Sequence, residues 1–218
     1  MAHYRPGAAG EFNGRVGQTV MCRWRHLKIG RSRPGKTARK PNASQLKQRS
    51  RLGLISRFLS PFSKVIAVGF YSRRSKMTGM NAAVKSNIHT AVLGTYPEFT
   101  IDESQIQLSK GSLDHVYDPY LLKKEDGTIS VEWINPSRLK LGVEENDSIH
   151  LCFFSSTLRR RQINYLSRIA VRRDARVDVT LNLSVFRGIV HGWMFLVSSD
   201  GKRASNSRYL GCVEADKI

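Results

Sequence analysis

The chain has 218 residues, 40% hydrophobic and 24% charged, with 36 Lys and Arg against 17 Asp and Glu for a formal net charge of +19. That length and composition exclude a disordered chain and support one large or two small domains around a real core. No stretch approaches 18 consecutive apolar residues, and residues 1–12, MAHYRPGAAGEF, lack the apolar centre of a secretion signal, so the expected address is the cytoplasm, with a virion as the alternative, and no membrane partner is expected.

The charge is not spread evenly. Residues 1–97 hold 19 Lys and Arg against one acid, Glu11, for a net of +18, whereas residues 98–218 hold 17 against 16, for a net of +1. A long run without acids reads as an arm or surface that faces a polyanion. Cys22, Cys152 and Cys212 are far apart and odd in number, which argues for small buried thiols and against a disulfide framework.

Residues 1–41 form a basic, glycine-rich arm. Its centre, Val20 to Ile29, is compatible with one or two short strands or a hairpin, bounded by Gly10, Gly14, Gly17, Gly30 and Gly35. Gly30, Gly35, Lys36 and Thr37 spell the G-x-x-x-x-G-K-T pattern of a phosphate loop. Its context is wrong on both sides. Arg23, Arg25, His26 and Lys28 interrupt what should be a buried strand, and Pro41 stops any helix from running on from Lys36. No apolar run ending in Asp follows to hold magnesium.

From Asn42 to Pro97 the character is helical. Asn42 or Ser44 can cap a helix whose apolar face is Leu46, Leu52, Ile55, Phe58 and Leu59, with Lys47, Gln48, Arg49, Arg51 and Arg57 elsewhere. Ser60-Pro61 is a stop and restart, and a second short helix ends at Gly69. A third runs from about Thr78 to Leu93, burying Met80, Ala83, Val84, Ile88, Ala91 and Val92, with Lys85 and Asn87 outward and Gly94 as its stop.

Beyond Pro97 the pattern is of strands: EFTIDESQIQLS, GTISVEWI, SIHLCFFSS, RVDVTLNLS, GIVHGWMFLVSS and ASNSRYLGCVE, divided by turn signals. Asp200-Gly201 between the last two is a hairpin signal. The expected fold class is α+β: the basic arm over 1–41, a helical segment over 42–97, and an antiparallel β-sandwich of immunoglobulin or fibronectin type III kind over 98–218.

GEFNGRVGQTV, KIGRSRPGK, PNASQLKQRSRL, the block NAAVKSNIHTAVLGTYPEFTIDESQIQLSKGSL over Asn81–Leu113, and SDGKRASNSRYLGCV carry a resemblance. Across nearly the whole chain it resembles an uncharacterised family of bacterial proteins, chiefly from Bacteroidota, known only as a domain of unknown function. The family's loop usually reads RSKPK and then NPxTxxQ, so Gly35-Lys36-Thr37 is no part of its pattern. This chain departs by having PNASQ where threonine is usual, and by Arg159–Arg161 and Arg172–Arg173 in its last part. The resemblance implies an architecture and no chemistry. The PxNPxTxxQ type of segment is also similar to segments of small phage structural proteins.

Candidate chemistry is sparse. Cys22 and His26 are four apart, but no second ligand pair completes a zinc site. His115, His150 and His191 read as surface or edge-strand histidines rather than bases. Glu144, Glu145 and Asp147 read as a solvated acidic turn without the spacing of a calcium loop. No catalytic residue, metal or cofactor is expected. The basic half instead points to sequence-independent contact with nucleic acid or another polyanion. The residues for it are Arg23, Trp24, Arg25, Lys28, Arg31, Arg33, Lys36, Arg39 and Lys40 from the arm, with Lys47, Arg49 and Arg51 from the helix. Trp24 can stack on a base or be a packing residue. The sandwich is expected to meet a protein partner or a second copy. The alternative is a structural subunit of a larger, phage-derived particle whose arm docks on neighbouring proteins.

Overall fold

The structure is a computed structural model, and it describes every residue except 1, 5–9, 25–26, 36–39, 72–76, 125–127, 137–142, 157–160, 182–185, 187 and 216–218. The chain divides into two compact units, Met1–Asn42 and Ala43–Ile218. The first is a four-stranded antiparallel sheet of β1 (Ala2–His3), β2 (Gly14–Val16), β3 (Thr19–Trp24) and β4 (Leu27–Ser32), in the order β1-β4-β3-β2. Strands β2 and β3 are joined through Gly17, whose φ of +57° lies in the left-handed region that favours glycine.

The second unit opens with α1 (Ala43–Leu59), a 3₁₀ turn (Ser60–Phe62) and α2 (Ser63–Gly69). Pro61 sits in the first turn of the 3₁₀ segment, where its missing N–H leaves no gap in the hydrogen bonding. Ile55, Phe58, Leu59 and Phe62 are buried, but Leu46 and Leu52, expected on the same face, are 39% and 48% exposed. The apolar face is therefore only the C-terminal half of α1, where the strands give it something to pack on. By length and composition alone, Ala43–Gly69 is apolar enough to cross a membrane, a test that core helices also pass; here Val65 and Ile66 join the residues above in this unit's own core.

Helix α3 (Gly79–Asn87) begins at Thr78, whose Oγ1 accepts from the Asn81 N–H at 3.2 Å. It stops six residues short of the expected Leu93. The remainder turns into β5 (Val92–Thr95), which pairs with β6 (Glu98–Ile101) across the cis Tyr96–Pro97 bond. Gly94 is thus a hairpin residue: it holds φ +88°, and a Cβ there would stand 2.4 Å from the Glu98 carbonyl. Asn87 is fully buried rather than outward. Its Nδ2 donates to the carbonyls of Ala83 (2.9 Å) and Gln107 (2.8 Å), and its Oδ1 accepts from the Gln107 N–H (2.7 Å), tying the helix end to the loop before the sandwich.

Seven strands follow: β7 (Tyr117–Lys123), β8 (Thr128–Ile134), β9 (Ser148–Ser156), β10 (Arg161–Val171), β11 (Arg176–Thr180), β12 (Gly188–Val197) and β13 (Arg208–Ala215). They form a four-stranded sheet, β10-β9-β12-β13, and a three-stranded sheet, β11-β8-β7, both antiparallel, with the chain crossing between them after β8, β10 and β11. The α+β class with an antiparallel sandwich is as expected. Ile149, Leu151 and Phe153 of β9, with Val190, Met194 and Leu196 of β12, face Ile129, Val131 and Trp133 of β8. The alternate residues Cys152, Phe154, Trp193 and Phe195 face the helices, with Phe62 5.0 Å from Phe154 and 6.0 Å from Trp193 between ring centroids. Strands buried on both faces lose the apolar–polar alternation, which is why HLCFF and WMFLV read as continuous apolar runs. The Asp200-Gly201 turn joins β12 to β13, with Gly201 at φ +72°.

One seam holds helices and strands together. Gly69, at the end of α2, lies so close to the loop that a Cβ would stand 2.5 Å from the Leu108 carbonyl. The buried Ser109 hydroxyl lies 3.0 Å from the Gly69 carbonyl and 2.6 Å from that of Ser205.

Asp147, expected in a solvated turn, is buried and ion-paired. Arg172 Nη2 donates to Asp147 Oδ2 (3.3 Å) and to the Asp114 carbonyl (2.7 Å), while both side chains are essentially inaccessible to solvent. Trp133 Nε1 and Asn135 Nδ2 donate to the Arg172 carbonyl at 2.9 and 2.8 Å. Removing one partner leaves a buried charge uncompensated, so Asp147→Ala is expected to lower stability by about 3–5 kcal/mol, whereas the double change Asp147→Leu with Arg172→Met recovers most of it. Urea denaturation midpoints with an unchanged slope check both.

Candidate nucleic-acid interface

In the N-terminal unit, residues paired across strands share a face and successive residues alternate. Arg15 pairs with Val20 and Val20 with Arg31, so these three form one row; on the same face lie Cys22 with Ile29, then Trp24 with Leu27. Arg23 pairs with Lys28 on the other face. Arg23 and Trp24, adjacent in sequence, therefore project in opposite directions. Lys28 is ion-paired with Glu11, and that hydrogen bond and charge, with Arg23 adding to them, hold the Glu11 carboxyl below its ordinary value. Arg15, Arg23, Trp24, Arg31, Arg33 and Lys40 are exposed. Arg25, Lys36 and Arg39 lie outside the described residues, as does His26 of the Cys22/His26 pair.

The phosphate-loop pattern does not meet its geometry. Gly30 is inside β4, paired with Ala2 and Met21, rather than at a corner after the strand. The next helix begins at Ala43, beyond Pro41.

In the second unit Lys47 and Arg49 are exposed on the N-terminal half of α1. Arg51 is instead half-buried, with Nη2 donating to the Val92 carbonyl (3.3 Å) and its guanidinium 5.6 Å above the Phe99 ring, so the fold itself occupies it. Arg161 adds a cation that no local sequence signal places here. From the start of β10 its Nη1 donates to the Arg57 carbonyl at 2.6 Å, beside the end of α1.

A model of a family of unknown function matches residues 11–211, spanning the basic sheet, the helices and the sandwich. The chain belongs to that family, DUF6266. No curated protein and no solved structure matches it.

Of the three histidines of the strand region of this DUF6266 chain, His150 is buried and His115 and His191 are partly buried, contrary to a surface or edge reading. His150 is buried in the four-stranded sheet, its Nδ1 2.8 Å from the Tyr165 hydroxyl, its Nε2 3.2 Å from the Ser148 hydroxyl and its ring stacked on Phe195 at 5.0 Å. His191 Nδ1 lies 2.8 Å from the Tyr209 hydroxyl. His115 is half-buried, near the carbonyls of Val116 and Met194, in the wall of a polar cleft of about 390 Å³ that also takes in Gln107, Asp114 and Arg208. Burial pushes the Cys152 thiol up, out of the range of a nucleophile. Among the described residues no three His, Cys, Asp or Glu side chains gather as metal ligands.

Burial lowers both His115 and His150 to about 4. An unfolded imidazole titrates near 6.5, so on acidification the unfolded state takes up protons first. Stability is full above about pH 6.5 and falls toward pH 4, by at most roughly 3 kcal/mol per buried imidazole. The lowered carboxyls of Glu11, Asp178 and Asp200 act only further down, through the carboxylate range. Denaturant unfolding at a series of pH values is expected to show this slope between pH 6.5 and 5, and His150→Gln to flatten it.

Proposed function

We propose that this DUF6266 protein is a non-enzymatic binding protein that grips a polyanion, nucleic acid first among them, without reading its sequence, and offers its sandwich to a protein partner. The observation that carries this reading is a mismatch of charge. Upstream of Glu98 the only carboxylate is Glu11, and Lys28 uses it, while Arg15, Arg31, Arg33, Lys40, Lys47 and Arg49 stand exposed. Cations without a carboxylate of their own release counterions from a phosphate backbone when they bind it, which supplies affinity at no cost in sequence preference.

A second reading, a structural subunit of a larger particle whose arm docks on neighbouring proteins, is favoured by one feature. The outer side of the three-stranded sheet leaves Tyr117, Tyr120, Leu122 and Ile134 exposed, more large apolar surface than isolated surface residues explain.

Fluorescence anisotropy with a labelled oligonucleotide across about 50 to 200 mM salt tests the first reading, which expects a steep, linear log–log fall in affinity. Replacing Arg31, Arg33, Lys47 and Arg49 by Ala is expected to reduce the slope by about one for each phosphate that is no longer neutralised. Concentration-dependent multimers that persist through nuclease treatment would favour the particle. Nucleotide turnover abolished by Lys36→Ala would overturn both.

A further inference from the structure

We propose that the ligand of the N-terminal sheet is single-stranded nucleic acid, with a base stacked on Trp24 and the backbone running along the same face to Arg31 and Arg15. This rests on the polyanion reading above and narrows it.

Of the three tryptophans, Trp133 and Trp193 are 3% and 0% exposed, but Trp24 is 55% exposed. It stands at the end of β3, on the face that also carries Val20, Arg31 and Arg15, with the half-buried Cys22 and the buried Ile29 as the floor between them. Four residues separate Trp24 from the arginine row, about 13 Å along the strand. Arg15 and Arg31 flank β3 on either side, about 10 Å apart across the sheet. An exposed aromatic ring at one end and paired guanidinium groups at the other form a short track with a place for a base and a place for its phosphates.

That track selects among polyanions. In a duplex each base face is covered by its neighbours, so an indole held on a strand reaches one only if a base leaves the stack, at a cost of a few kcal/mol. An unpaired strand presents its bases at no such cost. A sulfated or phosphate polymer without bases meets the arginines and leaves Trp24 unused. Because every base has a π-face, stacking keeps the binding tolerant of sequence.

Trp24 reports on itself, since the other two indoles are buried. The full chain is titrated, at one moderate salt concentration, with unlabelled oligo(dT) or oligo(rU) of about 12 nucleotides, with a duplex of equal charge, and with heparin. Intrinsic fluorescence is read beside a direct affinity measurement. Saturable quenching by either single strand, with tighter binding than to the duplex, upholds the proposal. Trp24→Ala is expected to weaken single-strand binding by about 5- to 150-fold with heparin affinity retained, and an unchanged circular dichroism spectrum and urea midpoint show that the variant is folded. Trp24→Phe is expected to keep most of the affinity and lose the quench. If single strand, duplex and heparin bind alike and Trp24→Ala changes nothing, the stacking proposal falls and the polyanion reading stands. If none of them binds, both fall.

Discussion

Strands β9 and β12 are covered on both sides, and the arrangement of the larger unit follows from that. One side of their sheet is closed by β7, β8 and β11, the other by α1, the 3₁₀ turn and α2 through Phe58, Phe62 and Ile66. Burying aromatic and aliphatic side chains of this size contributes about 1.5–3 kcal/mol each, so the sheet cannot leave its second side wet. The helices are consequently a third layer of the sandwich. Their hold on α1 ends where the sheet ends, and the first half of that helix stays exposed with Lys47 and Arg49 on it.

The same division separates two uses of charge. Among the described residues the fold takes up three downstream carboxylates in ion pairs: Asp147 by Arg172, Glu132 by Arg176, and Asp178 by Lys124 and Arg176, whose company with Ser130 holds its carboxyl low. Upstream there is only Glu11 to share. Among the described residues, Lys28 is engaged by that carboxylate, Arg51 by a carbonyl and a ring, and Arg15 Nε donates to the Gly17 carbonyl while the side chain stays exposed. In the N-terminal sheet the two faces sort the cations into Arg15 and Arg31 with Trp24 on one side, and Arg23 with the ion-paired Lys28 on the other.

Much of this was legible in local pattern. The pairing of Thr19–Trp24 with Leu27–Ser32, the break at Pro61, the apolar runs of β9 and β12 and the turn at Gly201 all have signals within a few residues. What was illegible depends on partners far away. Strand β10 hides behind Arg161, Gln162, Asn164 and Arg168, because its inner side meets helices and a histidine rather than a purely apolar layer. Strand β7 hides behind Asp118, at φ +40°, and Pro119, which sit at a bulge. The stripe read through Val92 merges the end of α3 with a hairpin, since apolar residues of either element meet the same core. Asn87, Asp147 and His150 looked like surface because their hydrogen-bonding partners are 15 to 25 positions away.

The Gly69–Ser109–Ser205 seam has a bearing on how the chain reaches its native state. Its third member lies 96 residues beyond Ser109, so the helical layer cannot be sealed onto the strands until the turn between β12 and β13 has been synthesised, and contacts of such long range form slowly. A chain still on the ribosome therefore carries the cationic segment upstream of Glu98 and the bare side of Phe62 in the open until Ser205 has emerged. Until then the surplus charge is exposed ahead of the core that follows it.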